Sequence, residues 1–341
     1  MIVDALIPLR GGSKSIPKKN IKLLLGKPLF YWSAKAALDS GCFRKVVVST
    51  DCEQIAQSVR EHLSEVEILM RPSELATDES STESVMLHYA ESVDFDVLCL
   101  LQATSPLTQA KDLSSAYQLF LDSKYDSLLS VVESKRFFWG KSGEPINYNP
   151  AKRPRRQDFD GWLMENGAFY FTKRTPLLNE KSRLGGRIGT YMMSPESAYE
   201  IDEPVDWEIV EGLLKRNQSK NIQSKVSKIK VAIFDVDGTL TDGGMYYSES
   251  GELLKKFNTR DAHGLSALRK KGIKVVIMTQ EKSPSVRARM KKLGIDDYYE
   301  GVTDKLSLLK ELIKKWNVAF EQVAFMGDDE GDFECLSAVG F

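Results

Sequence analysis

Residues 5–21 read ALIPLRGGSKSIPKKNI, an apolar strand that passes directly into a turn of glycine, serine and lysine. Gly11 and Gly12 carry no side chain to block a close backbone approach, and exposed amides in such a turn face phosphate oxygens. Four cations add positive charge to the turn, namely Arg10, Lys14, Lys18 and Lys19. The stretch therefore predicts a phosphate site that holds a nucleotide, with an ordinary basic surface loop as the alternative.

The turn matches neither of two common phosphate-binding motifs. It lacks the GK[ST] end of the Walker pattern, and its glycines do not follow the G-x-G-x-x-G spacing of dinucleotide-binding folds. The motif lists of those two families therefore do not apply to this turn.

Composition narrows the possible functions of the 341-residue chain, which is long enough for two domains. A net charge of −1 argues against a general nucleic-acid-binding protein. Its four cysteines show neither the spacing of metal ligands nor the density of a disulfide-rich secreted protein. We therefore interpret them as reduced thiols, which favours a reducing compartment. We find no leader-like start and no apolar run near the roughly 20 residues of a membrane span. These features predict a cytoplasmic protein with no membrane partner, and the basic run 152–156 (KRPRR) leaves the nucleus open.

Strand-like and helical runs alternate through the first two hundred residues, which predicts a doubly wound, mostly parallel α/β sheet. The strand-like runs are 3–8, 45–49, 66–70 and 97–102, and helices begin near residues 29, 52 and 81. In such sheets, ligands bind beyond the carboxyl ends of the strands. The glycine-rich turn and the polar turns at 49–51 and 102–106 should therefore meet in one crevice.

Several ordered motifs in this part of the chain resemble the acylneuraminate cytidylyltransferase family, the CMP-N-acylneuraminate synthetases. The motifs are 10–14, 17–20, 49–51, 71–72, 101–106, 149–157 and 165–170. The resemblance covers about residues 1–215, and the block 149–170 is most similar to the animal enzymes. Leu9 and Ser15 depart from the small residues expected there, alanine and glycine.

The resemblance implies a nucleotidyltransferase with a Rossmann-like domain that transfers CMP from CTP to the anomeric hydroxyl of a nonulosonic acid and releases pyrophosphate. The acid would be an N-acylneuraminate or a deaminated neuraminate. The nucleotide-binding residues that it implies are Arg10, Ser13, Lys14, Lys19, Asn20, Arg71 and Ser80, with Lys14 also catalytic. The acceptor-binding residues that it implies are Gln102, Arg156, Asn166 and Tyr170. Catalysis would come from positioning and charge neutralisation, without a covalent intermediate.

An acidic pair follows near residue 200. The resemblance implies that Glu200 and Asp202 bind the Mg²⁺ that bridges CTP, although the family pattern has aspartate at both positions. Residues i and i+2 of a strand share a face, so a strand here would let both carboxylates reach one hard cation. The alternative is an acidic strand end that caps the helix starting near Pro204, which accounts better for Asp206 than for Glu200.

A polar, lysine-rich stretch predicts a linker at 218–227, between a cytidylyltransferase domain at 1–217 and a second domain at 228–341. The second domain opens with an apolar strand and the sequence FDVDGTLTDG at 234–243, which resembles the haloacid dehalogenase phosphatase superfamily. Asp235 would attack a phosphoryl group, and Asp237 would protonate the leaving alcohol and later activate water. The second domain is therefore predicted to be a further Rossmann-like α/β unit.

Later residues complete this second predicted site. Thr279 and Lys305 would bind phosphate, and Asp328 would bind Mg²⁺ together with Asp235 and Asp237. Asp332 would orient the residues of the site without binding the metal itself. Gln280 and Glu281 replace an expected Gly-Arg pair, and this departure should alter substrate contacts.

The short segment between residues 243 and 257 resembles the capless subclass, which includes the 3-deoxyoctulosonate 8-phosphate phosphatases. This resemblance implies tetramers formed through the second domain, beside dimers formed through the first. A nonulosonic acid 9-phosphate would be the matching substrate, because its dephosphorylation yields the sugar that the first domain activates. The sequence reaches Phe341 as another strand begins, so we expect a truncated domain with one sheet face uncovered. Two alternatives stay open, namely dephosphorylation as the main activity and a noncatalytic tetramerisation module.

Overall fold

The structure is a computed structural model that describes residues 1–249 and 251–341. By its contacts the chain forms two compact units, Met1–Arg216 and Asn217–Phe341. No helix among the described residues has the length and the apolar character needed to cross a membrane.

The first unit contains nine strands and six helices, of which the last helix extends into the second unit. Its elements are β1 (Val3–Leu9), β2 (Leu23–Leu24), β3 (Lys27–Pro28), α1 (Leu29–Ser40), β4 (Lys45–Thr50), α2 (Glu53–His62), β5 (Glu67–Met70), α3 (Thr82–Ser92), β6 (Val97–Leu101), α4 (Ala110–Asp122), β7 (Ser127–Ser134), β8 (Trp162–Lys173), α5 (Arg174–Glu180), β9 (Ile188–Met192) and α6 (Pro204–Lys228).

Seven of these strands form one sheet in the order β5-β4-β1-β6-β8-β7-β9, and β2 pairs only with β3. All neighbours in this sheet run parallel except β8, which is antiparallel to both β6 and β7. Apolar side chains of β1 point alternately to two faces: Leu6 packs in one core with α3, whereas Ile7 and Leu9 pack in the other with α1. Burial on both faces explains the continuous apolar runs of these strands.

The buried aspartate at the start of β1 is fully hydrogen-bonded. Asp4 accepts hydrogen bonds from Arg44 Nε at 2.9 Å, Arg44 Nη2 at 2.5 Å and the Tyr89 hydroxyl at 2.8 Å. Because a buried charge is costly unless it is paired, this arrangement fixes β1 against α3 and the segment that precedes β4.

The second unit contains a four-stranded parallel sheet in the order β14-β13-β10-β15, and a separate hairpin of β11 and β12. Its elements are β10 (Val231–Phe234), β11 (Thr241–Ser248), β12 (Gly251–Phe257), α7 (Thr259–Lys270), β13 (Lys274–Thr279), α8 (Pro284–Leu293), β14 (Tyr298–Glu300), α9 (Lys305–Trp316), β15 (Val323–Met326) and α10 (Phe333–Ala338). The two units confirm the predicted fold class of two α/β, mostly parallel sheets.

Two local expectations need correction. The predicted linker 218–227 is helical, because it continues α6 without a glycine or proline to end the helix, while the buried side chains of that helix, Trp207, Val210 and Leu214, all precede it. The acidic segment near residue 200 is not a strand: Glu200 and Asp202 lie in irregular structure between a 3₁₀ turn at Pro195–Ala198 and α6. The Ile201 amide donates to the Thr104 carbonyl at 2.8 Å, which joins this segment to the loop after β6.

Candidate active sites

The glycine-rich turn borders a cavity of about 550 Å³ at the carboxyl ends of β1, β5 and β6, and none of residues 49–51 lines it. Every residue predicted to bind the nucleotide lines this cavity: Arg10, Ser13, Lys14, Lys19, Asn20, Arg71 and Ser80. The turn approaches β4 closely, because the Gly11 amide donates to Asp51 Oδ1 at 3.0 Å. A Cβ on Gly11 would lie 2.9 Å from Cys52 Cβ, so this contact requires glycine.

Each cation in this cavity has a defined partner. Arg10 and Lys14 both form ion pairs with Asp78, at 2.8 Å and 2.7 Å. Lys19 Nζ donates to the Ile201 carbonyl at 2.9 Å and contacts Asp202 at 3.2 Å. Asp78 thus pairs with Arg10 and Lys14, and Asp202 with Lys19, among the residues that line the cavity.

Arg71 is the buried cation of the cavity, with 7% of its surface exposed. It donates to the Ser49 carbonyl at 3.1 Å, while its Nε finds no hydrogen-bond partner among the described residues. Burial lowers the pKa of Arg71, and the nearby Asp51 partly offsets that effect. A buried guanidinium with an unused donor fits an anionic ligand.

Two predicted nucleotide-binding residues make local contacts that shape the cavity wall. The Asn20 amide donates to the Arg10 carbonyl at 2.9 Å, and the Ser80 hydroxyl donates to the Glu74 carbonyl at 2.8 Å. Both residues hold loop backbone that surrounds the cavity.

A second cavity of about 490 Å³ adjoins the first, and the two share Gln102, Thr104 and Asp202. Of the four residues predicted to bind the acceptor, Gln102 and Tyr170 line it. Asn166 is buried outside it and donates to the Ser197 carbonyl at 2.9 Å. Arg156 is exposed and lines neither cavity. The structure thus brings two of these four residues together in the cavity.

Arg183 lines the second cavity although no motif in the sequence singled it out. It lies in the loop after α5 and forms an ion pair with Glu83 at the start of α3, at 2.5 Å. A partner 100 positions away in the chain leaves no local signal, so only the folded structure reveals this arginine.

The acidic side of the second cavity has features of a cation site. Burial, followed by the neighbouring Asp202 and Glu165, raises the pKa of Glu200 to about 7. Gly167 adopts φ +65°, and a Cβ there would lie 2.5 Å from Glu200 Oε1, so glycine leaves space for this carboxylate. Mg²⁺ prefers carboxylate oxygens as ligands, and its charge would relieve the repulsion between Glu200 and Asp202. These two residues therefore fit the predicted metal.

Asp206 acts as the cap of α6. Its Oδ2 accepts hydrogen bonds from the amides of Asp202 at 3.0 Å and Glu203 at 2.7 Å. The capping interpretation therefore holds for Asp206, and Glu200 and Asp202 remain the candidates for cation binding.

The second unit has its own cluster of charged side chains, at the carboxyl end of β10. Asp235 directly follows this strand, and Lys305 Nζ donates to Asp235 Oδ1 and to Asp332 Oδ1, each at 2.6 Å. Burial raises the pKa of Asp235, and Lys305 opposes that effect. Thr279 is buried at the end of the adjacent strand β13.

Three carboxylates in this cluster could hold a metal ion, and they differ from the predicted set. Oxygens of Asp235, Asp328 and Asp332 lie within 4.8 Å of one another, so this cluster contains Asp332 in addition to two of the predicted ligands. The Asp237 carboxylate pairs with Lys255, a buried side chain that donates to Asp237 Oδ1 at 2.6 Å and to Glu281 at 2.8 Å. Glu281, one of the two departures noted in the sequence, therefore helps hold the lysine that pairs with Asp237.

A glycine makes room for Asp328. Gly238 adopts φ +81°, and a Cβ on it would lie 1.8 Å from Asp328 Oδ2. The Thr239 hydroxyl donates to Asp328 Oδ1 at 3.1 Å, which orients the carboxylate toward the cluster. Three close carboxylates around a single lysine fit a divalent cation, which would balance their charge.

Comparison with known proteins finds a matching family for each of two parts of the chain. Residues 5–229 match the cytidylyltransferase family, and residues 259–340 match the haloacid dehalogenase-like hydrolases. N-acylneuraminate cytidylyltransferase A of Danio rerio is 37% identical over 99% of this chain and 80% of its own length.

Two solved structures also resemble parts of the chain. A CMP:2-keto-3-deoxy-manno-octonic acid synthetase complexed with CTP covers 64% of this chain and 100% of its own, with 19% identity and a TM-score of 0.50. A 3-deoxy-D-manno-octulosonate 8-phosphate phosphatase of Yersinia pestis covers 35% of this chain and 65% of its own, with 36% identity and a TM-score of 0.34. From the family matches and the full-length relative, we conclude that the chain belongs to the cytidylyltransferase family and carries a haloacid dehalogenase-like hydrolase domain at its C-terminal end.

Proposed function

We propose that the protein is a Mg²⁺-dependent CMP-sialic acid synthetase that transfers CMP from CTP to the anomeric hydroxyl of a nonulosonic acid and releases pyrophosphate. The observation that carries this proposal is the pair of adjoining cavities that share Gln102, Thr104 and Asp202. One cavity is lined by cations and suits a triphosphate, and the other suits the acceptor sugar. Shared walls would hold the two reactants side by side.

The residues support a reaction driven by positioning and charge. Arg10, Lys14, Lys19 and Arg71 would neutralise the triphosphate and the departing pyrophosphate. Holding the acceptor next to the α-phosphate converts a bimolecular step into an intramolecular one. Mg²⁺, held by Glu200 and Asp202, would supply further charge neutralisation on the phosphate oxygens.

The test is an assay of the purified chain with CTP, Mg²⁺ and a panel of nonulosonic acids, with pyrophosphate as the readout. Pyrophosphate that depends on the acid is expected for N-acylneuraminates or deaminated neuraminate. Folded protein that released none with any acid would refute the proposal. ATP, GTP and UTP in place of CTP serve as matched controls for the base.

For the second unit we propose a nonulosonate 9-phosphate phosphatase activity, which the cluster of Asp235, Lys305, Asp328 and Asp332 supports. Asp235 Oδ would attack the phosphorus and release the sugar, and water would then hydrolyse the aspartyl phosphate. Asp237 would donate the proton to the leaving oxygen and take one from the water. Thr279 and Lys305 would bind the phosphate.

Orthophosphate release from the 9-phosphates tests this second activity separately. Asp235→Asn should abolish it, whereas the control Asp297→Asn, which only loses a 2.7 Å pair with Lys274, should keep it. Pyrophosphate without orthophosphate would instead support a noncatalytic module. Orthophosphate without pyrophosphate would support dephosphorylation as the main activity.

We further propose that the protein works as a homo-oligomer in a reducing compartment, the cytoplasm or the nucleus. All four cysteines are free thiols, in keeping with such a compartment. A dimer through the first unit and a tetramer through the second predict a tetrameric mass in sedimentation equilibrium. A chain shortened to residues 1–228 should then sediment as a dimer.

A further inference from the structure

We propose that Arg183 binds the carboxylate of the acceptor acid, an assignment that rests on the proposed cytidylyltransferase function. Any acid that enters the 490 Å³ cavity brings a negative charge into an acidic space, because Glu165, Glu200 and Asp202 line the same walls. Among the residues that line this cavity, Arg183 is the single cation. A carboxylate that leaves water needs such a partner to offset its lost hydration.

Glu83 holds Arg183 through a guanidinium nitrogen other than the two terminal ones. Its Nε donates to Glu83 Oε1 at 2.5 Å, so this contact does not use the two terminal nitrogens. Parallel hydrogen bonds from an arginine to both oxygens of a carboxylate are the strongest and most specific form of this recognition. Glu83 therefore acts as a positioning residue for Arg183.

Two further contacts restrain Arg183, one at its guanidinium and one at its backbone. Its central carbon lies 5.0 Å from the ring centroid of Tyr170, which also lines the cavity. The Arg183 carbonyl accepts a hydrogen bond from the Thr172 hydroxyl at 2.5 Å, and this contact ties the loop to β8. A side chain held by Glu83 and Tyr170, on a loop tied to β8, loses little further freedom when the ligand binds, so more of the interaction energy appears as affinity.

The role proposed for Arg183 is the one that the family resemblance implied for Arg156. That arginine is exposed and lies outside both cavities. The two assignments make opposite predictions for the same pair of substitutions, and this allows a direct test.

The experiment measures pyrophosphate release with the acid and with its methyl ester, which keeps the sugar but removes the charge. Arg183→Gln should raise the KM for the acid by about 10- to 100-fold, as expected when charge-assisted hydrogen bonds are lost, and leave the KM for CTP unchanged. The wild-type preference for the acid over the ester should disappear in this variant, and Arg183→Lys should retain part of it. A merely structural role would weaken acid and ester equally.

Arg174→Gln is the matched control. Arg174 also lies over an aromatic ring, with its central carbon 5.0 Å from the Phe95 centroid, but it lines neither cavity. The Arg174→Gln variant should keep the wild-type preference for the acid. Arg156→Gln should keep it as well.

Three results would overturn the assignment. If the wild type is active and Arg183→Gln keeps the wild-type preference for the acid, the role assigned to Arg183 is wrong, whereas the proposed function still stands. Loss of the preference in Arg156→Gln alone would transfer the role to that residue. A wild type that released no pyrophosphate with any acid would refute the proposed function and the assignment together.

Discussion

Asp78 and Lys14 form an ion pair of 2.7 Å at the mouth of the nucleotide cavity, and the other oxygen of Asp78 lies 2.8 Å from Arg10 Nη1. Both cations are among those proposed to bind the triphosphate. Their positive charge lowers the pKa of Asp78, with Lys14 as the larger influence. The carboxylate thus competes with phosphate oxygens for the same two side chains.

Asp78→Asn should therefore strengthen nucleotide binding. The three side chains are 38–77% exposed, so solvent screens both ion pairs and each has only a small effect. We expect a two- to fivefold lower KM for CTP, roughly the effect of one such pair. Competitive inhibition by pyrophosphate should tighten in parallel. Glu79→Gln, the same charge change one residue away, is the control, and a raised KM in Asp78→Asn would contradict the prediction by showing that Asp78 supports the cations.

Substitutions of Lys14 and Lys18 distinguish two interpretations of the turn, a catalytic cation and a general basic surface loop. Lys14 lines the nucleotide cavity, whereas Lys18, four positions later in the same turn, does not. Removing one preorganised group that stabilises developing charge typically lowers kcat by about 100-fold. Lys14→Ala should show a loss of this size, and Lys18→Ala should stay within about twofold of wild type, the scale of a distant surface charge. Equal losses in steady-state kinetics would support the basic-surface-loop interpretation instead.

The nucleotide cavity was predictable from the sequence because its residues lie in short motifs at the ends of consecutive parallel strands, and the sheet topology brings those ends together. Arg183 was not predictable, since its position depends on Glu83, 100 residues earlier. The strand expected near Glu200 was wrong because alternation alone does not supply a neighbouring strand for hydrogen bonding. The pairing of Asp237 with Lys255 was not predictable either, because only the folded hairpin brings Lys255 to it.

Gly238 and Gly272 offer a test of the second site that separates backbone strain from steric conflict. Both adopt positive φ, +81° and +77°, but a Cβ on Gly272 would meet no described atom within 4 Å, whereas one on Gly238 would lie 1.8 Å from Asp328 Oδ2. Alanine at either position should cost about 1–2 kcal/mol of stability through left-handed strain. Only Gly238→Ala should also abolish orthophosphate release, because it displaces Asp328.

Thermal unfolding and phosphatase assays of the two glycine variants check this expectation. If Gly272→Ala lost the phosphatase activity as well, strain in the second unit would explain both results. Retained activity in Gly238→Ala would show that Asp328 does not need its present position.

Tyr89→Phe should destabilise the first unit, because it removes one of the three hydrogen bonds to the buried Asp4 carboxylate. A hydrogen bond to a charged group contributes roughly 1.5–3 kcal/mol, and its loss here leaves the buried Asp4 Oδ2 with Arg44 Nη2 as its remaining partner. Urea unfolding followed by fluorescence should show a lower midpoint with an unchanged slope. Tyr31→Phe is the control, since its hydroxyl makes no hydrogen bond among the described residues. Equal midpoints for the two variants would mean that Arg44 alone satisfies Asp4, and that the strand β1 does not depend on its link to α3.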